Sequence, residues 1–324
     1  MTASDGPTRG LPTTAQIQAT RADIDPVFLA TPVLRHPGLD EALGCRVTLK
    51  LETLNPIRSF KGRGTEALLA TLPADTPGVI ATSTGNFGQG LTRAAVRRGI
   101  ASTIVVPAGT SPLKLAAMRR LGATVHEVTS AEGNGKAVAR RMAAASGLLL
   151  IEDGLHPEID AGAGTIAQEL TESAIEPEVL LVQVGDGALA GGVGAWMRER
   201  SPSTRLVGLV ATRAPSLARS MDARRDVEAP SATIAEGMAV SHPVPGAVAR
   251  LREALDEVVL VSDEDMLRAM GVLAEAAGVI AEPAGAAGVA AILADPTRFA
   301  GRDVVSIVTG SNVDRPLLAR ALAG

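Results

Sequence analysis

Short β-branched runs alternate with Ala/Leu/Arg stretches of helical period along most of this chain. The runs at 47–51, 78–81, 102–106, 124–128, 148–151, 179–184, 205–210, 257–261 and 303–309 read as strands, being short, apolar and bounded by turn-forming residues. The stretches 91–98, 111–121, 135–145, 162–171, 188–199, 263–277 and 284–294 carry apolar residues at helical spacing and read as helices. Strands that are apolar throughout and alternate with helices imply an α/β fold of open, twisted, mostly parallel sheets with helices on both faces. The stretch 211–244 has weak periodicity and many Arg, Ser and Pro residues, so it is expected to wrap the surface beside the cleft.

Three strand–helix units between Gly78 and Ile151 form a compact block that exits through the turn-rich Glu152-Asp153-Gly154-Leu155-His156-Pro157. The organisation expected is a large domain from residues 1–79 and 157–324, with a small domain from 80–156 inserted in it. Residues 1–11 are polar and rich in Pro and Gly, lack the apolar stretch of a signal peptide, and read as a disordered tail.

A chain of 324 residues with 46% hydrophobic content can bury a large core, and Ala, Val and Leu must fill it because aromatics are only 2%. The net charge of −4 and the absence of a basic stripe argue against a nucleic-acid partner. No apolar run is long enough for a membrane span. A single cysteine, Cys45, excludes a disulfide framework and suits a reducing cytoplasm. The four histidines, His36, His126, His156 and His242, lack metal-ligand spacing, and Trp196 reads as core.

Four loops at the carboxyl ends of expected strands hold the chemistry, which is where open α/β sheets bind ligands. The first is Ser59-Phe60-Lys61-Gly62-Arg63-Gly64. Only Lys50, Lys61, Lys114 and Lys136 among 31 basic residues are lysines, so a lysine here stands out. Burial can neutralise lysine into a nucleophilic amine, which arginine does not allow, and Phe60 can lean on a flat heterocycle. The second loop, Ser83-Thr84-Gly85-Asn86-Phe87-Gly88-Gln89-Gly90, places small residues and hydroxyls at a helix start, an anion site suited to a substrate carboxylate. The third, Gly185-Asp186-Gly187-Ala188-Leu189, lets backbone amides close around a phosphate. A carboxylate ~5 Å from a phosphate charge costs about 3 kcal/mol at an effective dielectric near 20, so the Asp186 side chain is expected to point away. The fourth, Thr309-Gly310-Ser311-Asn312, brings a hydroxyl that can reach a ring nitrogen.

A lysine for an aldehyde, a phosphate cradle, a carboxylate cradle and a hydroxyl for a ring nitrogen together describe a pyridoxal 5'-phosphate site. From about Thr14 to the C-terminus the chain resembles the fold type II (tryptophan synthase beta-like) pyridoxal phosphate enzymes, in particular the threonine/serine dehydratase and serine racemase group. The segments Ala235-Glu236-Gly237-Met238-Ala239-Val240, Glu282-Pro283-Ala284-Gly285-Ala286 and Thr309-Gly310-Ser311-Asn312-Val313-Asp314 also look like family segments.

The resemblance implies that Lys61 forms the Schiff base and moves the α proton, Phe60 flanks the ring and Asn86 bonds its 3′ oxygen. Ser83, Thr84, Gly85 and Asn86 would bind substrate. Gly185, Asp186, Gly187, Ala188 and Leu189 would hold the phosphate, with Glu282 and Thr309 also in the cofactor site. Departures from the pattern are Phe87 in place of a frequent histidine, Asp186 and Ala188 in the glycine loop, and Val210-Ala211 where related racemases carry a metal-binding glutamate. No metal is therefore expected. Thr84 stands where racemases place a second acid/base, and its hydroxyl can serve that catalytic role or bind carboxylate.

The activity implied is L-threonine/L-serine ammonia-lyase in a cytoplasmic homodimer, acting on a small-molecule amino acid. A racemase and a threonine synthase-like β/γ-replacement enzyme are the alternatives on the same fold. The literal dinucleotide fingerprint Gly185-x-Gly187-x-x-Ala190, with Arg213 for a 2′-phosphate, keeps a remote NADP-dependent oxidoreductase reading.

Overall fold

The computed structural model describes residues 10–129 and 131–324. Its strands are β1 (Val33–Arg35), β2 (Arg46–Leu51), β3 (Gly78–Thr82), β4 (Ala101–Val106), β5 (Thr124–Glu127), β6 (Leu149–Leu150), β7 (Val179–Gln183), β8 (Arg205–Ala211), β9 (Glu257–Val261) and β10 (Asp303–Val308). Helices α1 (Thr14–Thr20), α2 (Pro37–Leu43), α3 (Lys61–Ala70), α4 (Asn86–Arg97), α5 (Pro112–Arg120), α6 (Gly135–Ser146) and α7 (Pro157–Glu172) occupy the first half. The second half holds α8 (Ala188–Arg200), α9 (Ser216–Ala223), α10 (Ala247–Ala254), α11 (Asp263–Ala277), α12 (Pro283–Ala294), α13 (Pro296–Phe299) and α14 (Arg315–Leu322).

Two sheets result, ordered β1-β2-β10-β7-β8-β9 and β5-β4-β3-β6. Every pairing is parallel except that of β1 with β2. The nine strands expected from the hydrophobic pattern are present, and β1 is an addition. Only three residues long, partly exposed and on the sheet edge, β1 carries no burial period to read. The weakly periodic stretch 211–244 contains α9, which buries Ser216, Leu217 and Ser220. Within the tail expected at residues 1–11, positions 1–9 lie outside the described residues, while Leu11 packs against the core beside α8.

Alternation along the central strands divides the large core between its two faces. Val179 and Leu181 of β7 join the cluster under α2, α11 and α12, whereas Leu180 and Val182 join the one under α7, α8 and α10. On that second face helices approach backbone to backbone. A Cβ on Gly192 of α8 would stand 1.9 Å from the Asp160 carbonyl oxygen of α7, and one on Gly162 would stand 2.6 Å from the Arg63 carbonyl oxygen of α3. Small residues therefore let α3, α7 and α8 stack closely.

Four buried charges tie α3 to this stack. The Arg63 guanidinium, 0% exposed, donates to both carboxylate oxygens of Glu52 at 2.8 and 2.9 Å and to both of Glu169 at 2.8 and 2.9 Å. The Lys50 ammonium adds a bond of 2.6 Å to Glu169. Burial alone would push the Glu169 carboxyl up, but the bonds and charges of Arg63 and Lys50 hold it down at about 2. Two cations balance two carboxylates, and removing one member leaves an uncompensated charge. Arg63→Met keeps most of the volume and is expected to cost about 3–5 kcal/mol of stability in urea unfolding. A loss below about 1 kcal/mol would show that the cluster reorganises without Arg63.

Candidate active site

The lysine loop is placed by the end of β10. The Phe60 amide donates to the Thr309 carbonyl oxygen at 3.0 Å, and Ser59 bridges Gly310. Lys61 opens α3 with its ammonium 5.1 Å from the centre of the Phe60 ring and 5.7 Å from that of Phe87. The same ammonium donates to Asp153 Oδ2 at 2.5 Å. Lys61 thus sits between two aromatic faces and a carboxylate.

Across from it, the Ser83 loop starts α4. Ser83 Oγ accepts from the amides of Gly85 at 3.1 Å and Gly88 at 2.9 Å. The first intrahelical bond runs from the Gln89 amide to Gly85, so the Asn86 and Phe87 amides have no intrahelical partner and point out of the helix start. Ser83 shapes the anion site by capping. Thr84 is exposed and lines a cavity of about 580 Å³ with Ser111, Glu236 and Asp314. Two bonds cross between the elements of the two sheets at its rim, Lys114 Nζ to Glu236 at 2.5 Å and Ser111 Oγ to Asp314 at 2.8 Å.

The glycine loop sits at the start of α8. Gly187 adopts φ +96°, and the first intrahelical bond runs from the Gly191 amide to the Gly187 carbonyl at 2.8 Å. The amides of Ala188, Leu189 and Ala190 therefore precede any intrahelical bond. A Cβ on Gly185 would meet the Gly237 carbonyl oxygen at 2.3 Å, so this loop and the Ala235–Val240 segment pack without side chains between them. Asp186 is partly exposed and lines a cavity with Asp153 and Lys136. Its carboxylate feels Asp153, Lys61 and Lys136, and burial followed by the Asp153 charge pushes it up to about 6.

Asn86, Glu282 and Asn312 form one buried network. Asn86 donates to Glu282 Oε1 at 2.7 Å and accepts from Asn312 Nδ2 at 2.7 Å, while the Asn312 amide donates to Glu282 Oε2 at 3.1 Å. One amide hydrogen of Asn86 remains for a ligand. A Cβ on Gly310 would lie 2.5 Å from Glu282 Oε1, which explains the glycine beside the buried Thr309. Burial pushes the Glu282 carboxyl up to about 7. Thr84 lies on the cavity of about 580 Å³, Asp186 lines a second cavity of about 330 Å³, and Lys61 stands beside the Phe60 and Phe87 rings. Asp153, the Phe87 ring beside Lys61, and Asn312 as a hydrogen-bond hub are additions.

A family model described as pyridoxal-phosphate dependent enzyme matches residues 24–310, and the chain belongs to that family. The L-threonine ammonia-lyase of Thermotoga maritima is 31% identical over 96% of this chain and 78% of its own length. An L-threo-3-hydroxyaspartate ammonia-lyase of a Pseudomonas species is 33% identical over 91% of this chain and 93% of its own. Among solved structures, the T.th. threonine deaminase matches with a TM-score of 0.87 and 32% identity, covering 94% of this chain and 99% of that one. Maize serine racemase matches with a TM-score of 0.87 and 27% identity, covering 97% of each. Membership replaces the dinucleotide reading of Gly185-x-Gly187-x-x-Ala190: the cofactor is pyridoxal phosphate.

The residues fit that cofactor. First-turn amides of α8 that precede any intrahelical bond suit its phosphate, two aromatic rings flank a lysine that would be placed for its aldehyde, and Gly310 leaves room along the Glu282–Asn86 network. No helix among the described residues is long and apolar enough to cross a membrane.

The Glu282 shift has a measurable sign. Its folded value of about 7 lies above the ordinary 4.5, so the folded state binds more protons through that window and stability drains as pH rises from 4.5 to 7. Glu282→Gln removes this loss. In the cofactor-free chain the stability of Glu282→Gln relative to wild type should rise by about 3 kcal/mol across the window, read from urea unfolding at several pH values. A constant difference would mean that Glu282 ionises normally.

Proposed function

We propose that this chain is a threonine/serine ammonia-lyase that converts L-threonine or L-serine to a 2-oxo acid and ammonia. The observation that carries the reading is the Lys61 amine, held between Phe60 and Phe87 in a cleft that also contains the open helix start at Thr84–Phe87. The ammonia-lyases and threonine deaminase among the relatives agree with it.

Pyridoxal phosphate, when bound, supplies an electron sink for the bond broken at the α carbon. The protein supplies the rest. Lys61 takes the α proton at its Nζ. The amides of Asn86 and Phe87, with Ser83, Thr84 and Gly85, hold the substrate carboxylate at the helix start. Asn86, Phe60, Thr309 and Glu282 would hold the cofactor, Asn86 with its remaining amide hydrogen and Phe60 with its ring. Gly185, Asp186, Gly187, Ala188 and Leu189 form the phosphate cradle. Among the described residues no carboxylate or imidazole hydrogen-bonds the Thr84 hydroxyl, which favours carboxylate binding over acid/base work, since an alcohol needs help to ionise.

Residues 80–156 act as the small substrate-carboxylate domain against a large domain of 1–79 and 157–324, a division supported by the separate four-stranded sheet. A cytoplasmic homodimer is the proposed setting. The free, buried Cys45 suits a reducing compartment.

Proton NMR of the enzyme with L-threonine or L-serine and added pyridoxal phosphate in deuterated buffer tests the reading. Appearance of 2-oxobutanoate or pyruvate without earlier loss of the α-proton signal is expected, and Lys61→Ala should lower the rate by at least about 10³-fold. Washout of the α-proton signal with the amino acid retained would instead identify a racemase and give Thr84 the second proton.

A further inference from the structure

Asp153 contributes an oxygen to Lys61 in a setting that packing fixes. Both side chains are only 16% exposed. While Oδ2 accepts from the ammonium, Oδ1 is buried without a hydrogen-bond partner. Gly154 adopts φ +80°, and a Cβ there would stand 2.7 Å from the Asp186 Cβ and 3.0 Å from the Asp186 carbonyl oxygen. The Asp153 turn therefore lies directly on the glycine loop. Two carboxylates share one small volume with the Lys61 ammonium.

The charged groups around this pair come from six elements, one of them α10, whose buried Arg250 donates to the Gly154 carbonyl oxygen at 3.2 Å. The turn after β6 brings Glu152 and Asp153, the loop after β7 brings Asp186, and α3 brings Lys61. Helix α6 brings Lys136 and Arg140, and the segment before α10 brings His242; except for Lys61 and Arg250, these line one cavity of about 330 Å³. Lys136, Arg140 and His242 are all solvent-exposed, so their charges are screened more than those of the inner three. Two adjacent carboxylates hold one proton more readily than either alone, because the singly protonated pair avoids like-charge repulsion. Burial, and after it the Asp153 charge, raises the Asp186 carboxyl to about 6.

We infer that Asp153 is a catalytic residue of this chain, the proton carrier of Lys61: it frees the amine to attack an aldehyde carbon and returns the proton to the oxygen that leaves, with Asp186 as the charge that lets the pair keep it in between. The inference rests on the Lys61 reading above. In the first step an N–H bond of the ammonium breaks and an O–H bond forms on Asp153. The neutral amine then adds its electron pair to the carbonyl carbon, and an amine proton passes to the carbonyl oxygen. Asp153 finally protonates that hydroxyl, which departs as water with the C–O electron pair while the nitrogen lone pair closes the C=N bond. One water leaves, the positive charge stays on nitrogen, and Asp153 ends as it began.

The test follows capture of pyridoxal phosphate by the full chain freed of cofactor, by stopped-flow absorbance, with borohydride trapping and peptide mass to locate the lysine. Trapping on Lys61 in wild type is expected. Asp153→Asn should capture on the order of 10²-fold more slowly, with a rate that climbs with pH where wild type is level. Added acetate should accelerate Asp153→Ala and leave wild type unchanged, an effect that a merely structural role would not produce. Asp186→Asn, which keeps Asp153, should move the pH midpoint of capture. Wild-type rate and pH profile in Asp153→Asn would overturn the inference alone. Where that variant does not fold, an unmoved profile in Asp186→Asn would do the same. No trapping in wild type would overturn the Lys61 reading and the inference with it.

Discussion

The site depends first on the buried pairing of Arg63 with Glu52 and Glu169. Arg63 stands two residues after Lys61, so whatever holds the guanidinium also sets the rotation of the first turn of α3 and the direction of the Lys61 side chain. Its two carboxylate partners lie on different elements, Glu52 just beyond β2 and Glu169 near the end of α7. A guanidinium offers two such partners a planar fork of donors at fixed angles, which a lysine at that position would not. Desolvating four charges is expensive. What the cluster supplies is orientation: α3 has no freedom to rotate while both bidentate contacts are intact.

That fixed helix would be of little use if the loops facing it were free. Each is pinned at a place where a side chain is missing. Gly185 lets its loop rest on Gly237, Gly310 leaves Glu282 room to hold Asn86, and Gly154 lets the Asp153 turn lie on Asp186. A glycine at a close backbone approach costs conformational entropy in the unfolded chain, and here that cost falls at contacts between loops that come from different strands. The site is accordingly made of strand ends, while the elements behind them carry the apolar core.

Much of this was legible in the sequence because the apolar runs of parallel strands and the helices between them have unmistakable periods. The lysine loop, the Ser83 loop and the glycine loop were legible because each joins a strand end to a helix start. Asp153 was not. It lies in a turn whose residues suggest only a chain reversal, and its relation to Lys61 spans 92 positions. Phe87 was read only as a departure from a frequent histidine, whereas its ring is packed beside the lysine. Asn312 likewise reaches Ile57 and Asn86 across the fold. Such contacts arise from tertiary packing between segments far apart in the chain, and no local pattern encodes them. β1 escaped for the opposite reason, being too short and too exposed to have a pattern.

Asp186 shows how local and tertiary electrostatics differ. Considered alone, a carboxylate in an anion cradle should turn away, since repulsion at a few ångströms outweighs a typical hydrogen bond. Burial is the largest influence disfavouring its ionised form, the Asp153 charge adds to it, and the Lys61 and Lys136 charges oppose it. A carboxyl raised to about 6 can be neutral when an anion approaches, and a neutral carboxyl can donate a hydrogen bond where a carboxylate can only repel. The residue that looks least suited to the cradle is therefore compatible with it through its neighbours. One of those neighbours, Asp153, also accepts from the Lys61 ammonium, so the glycine loop and the lysine loop share a carboxylate neighbour: the Lys61 and Asp153 charges both act on Asp186.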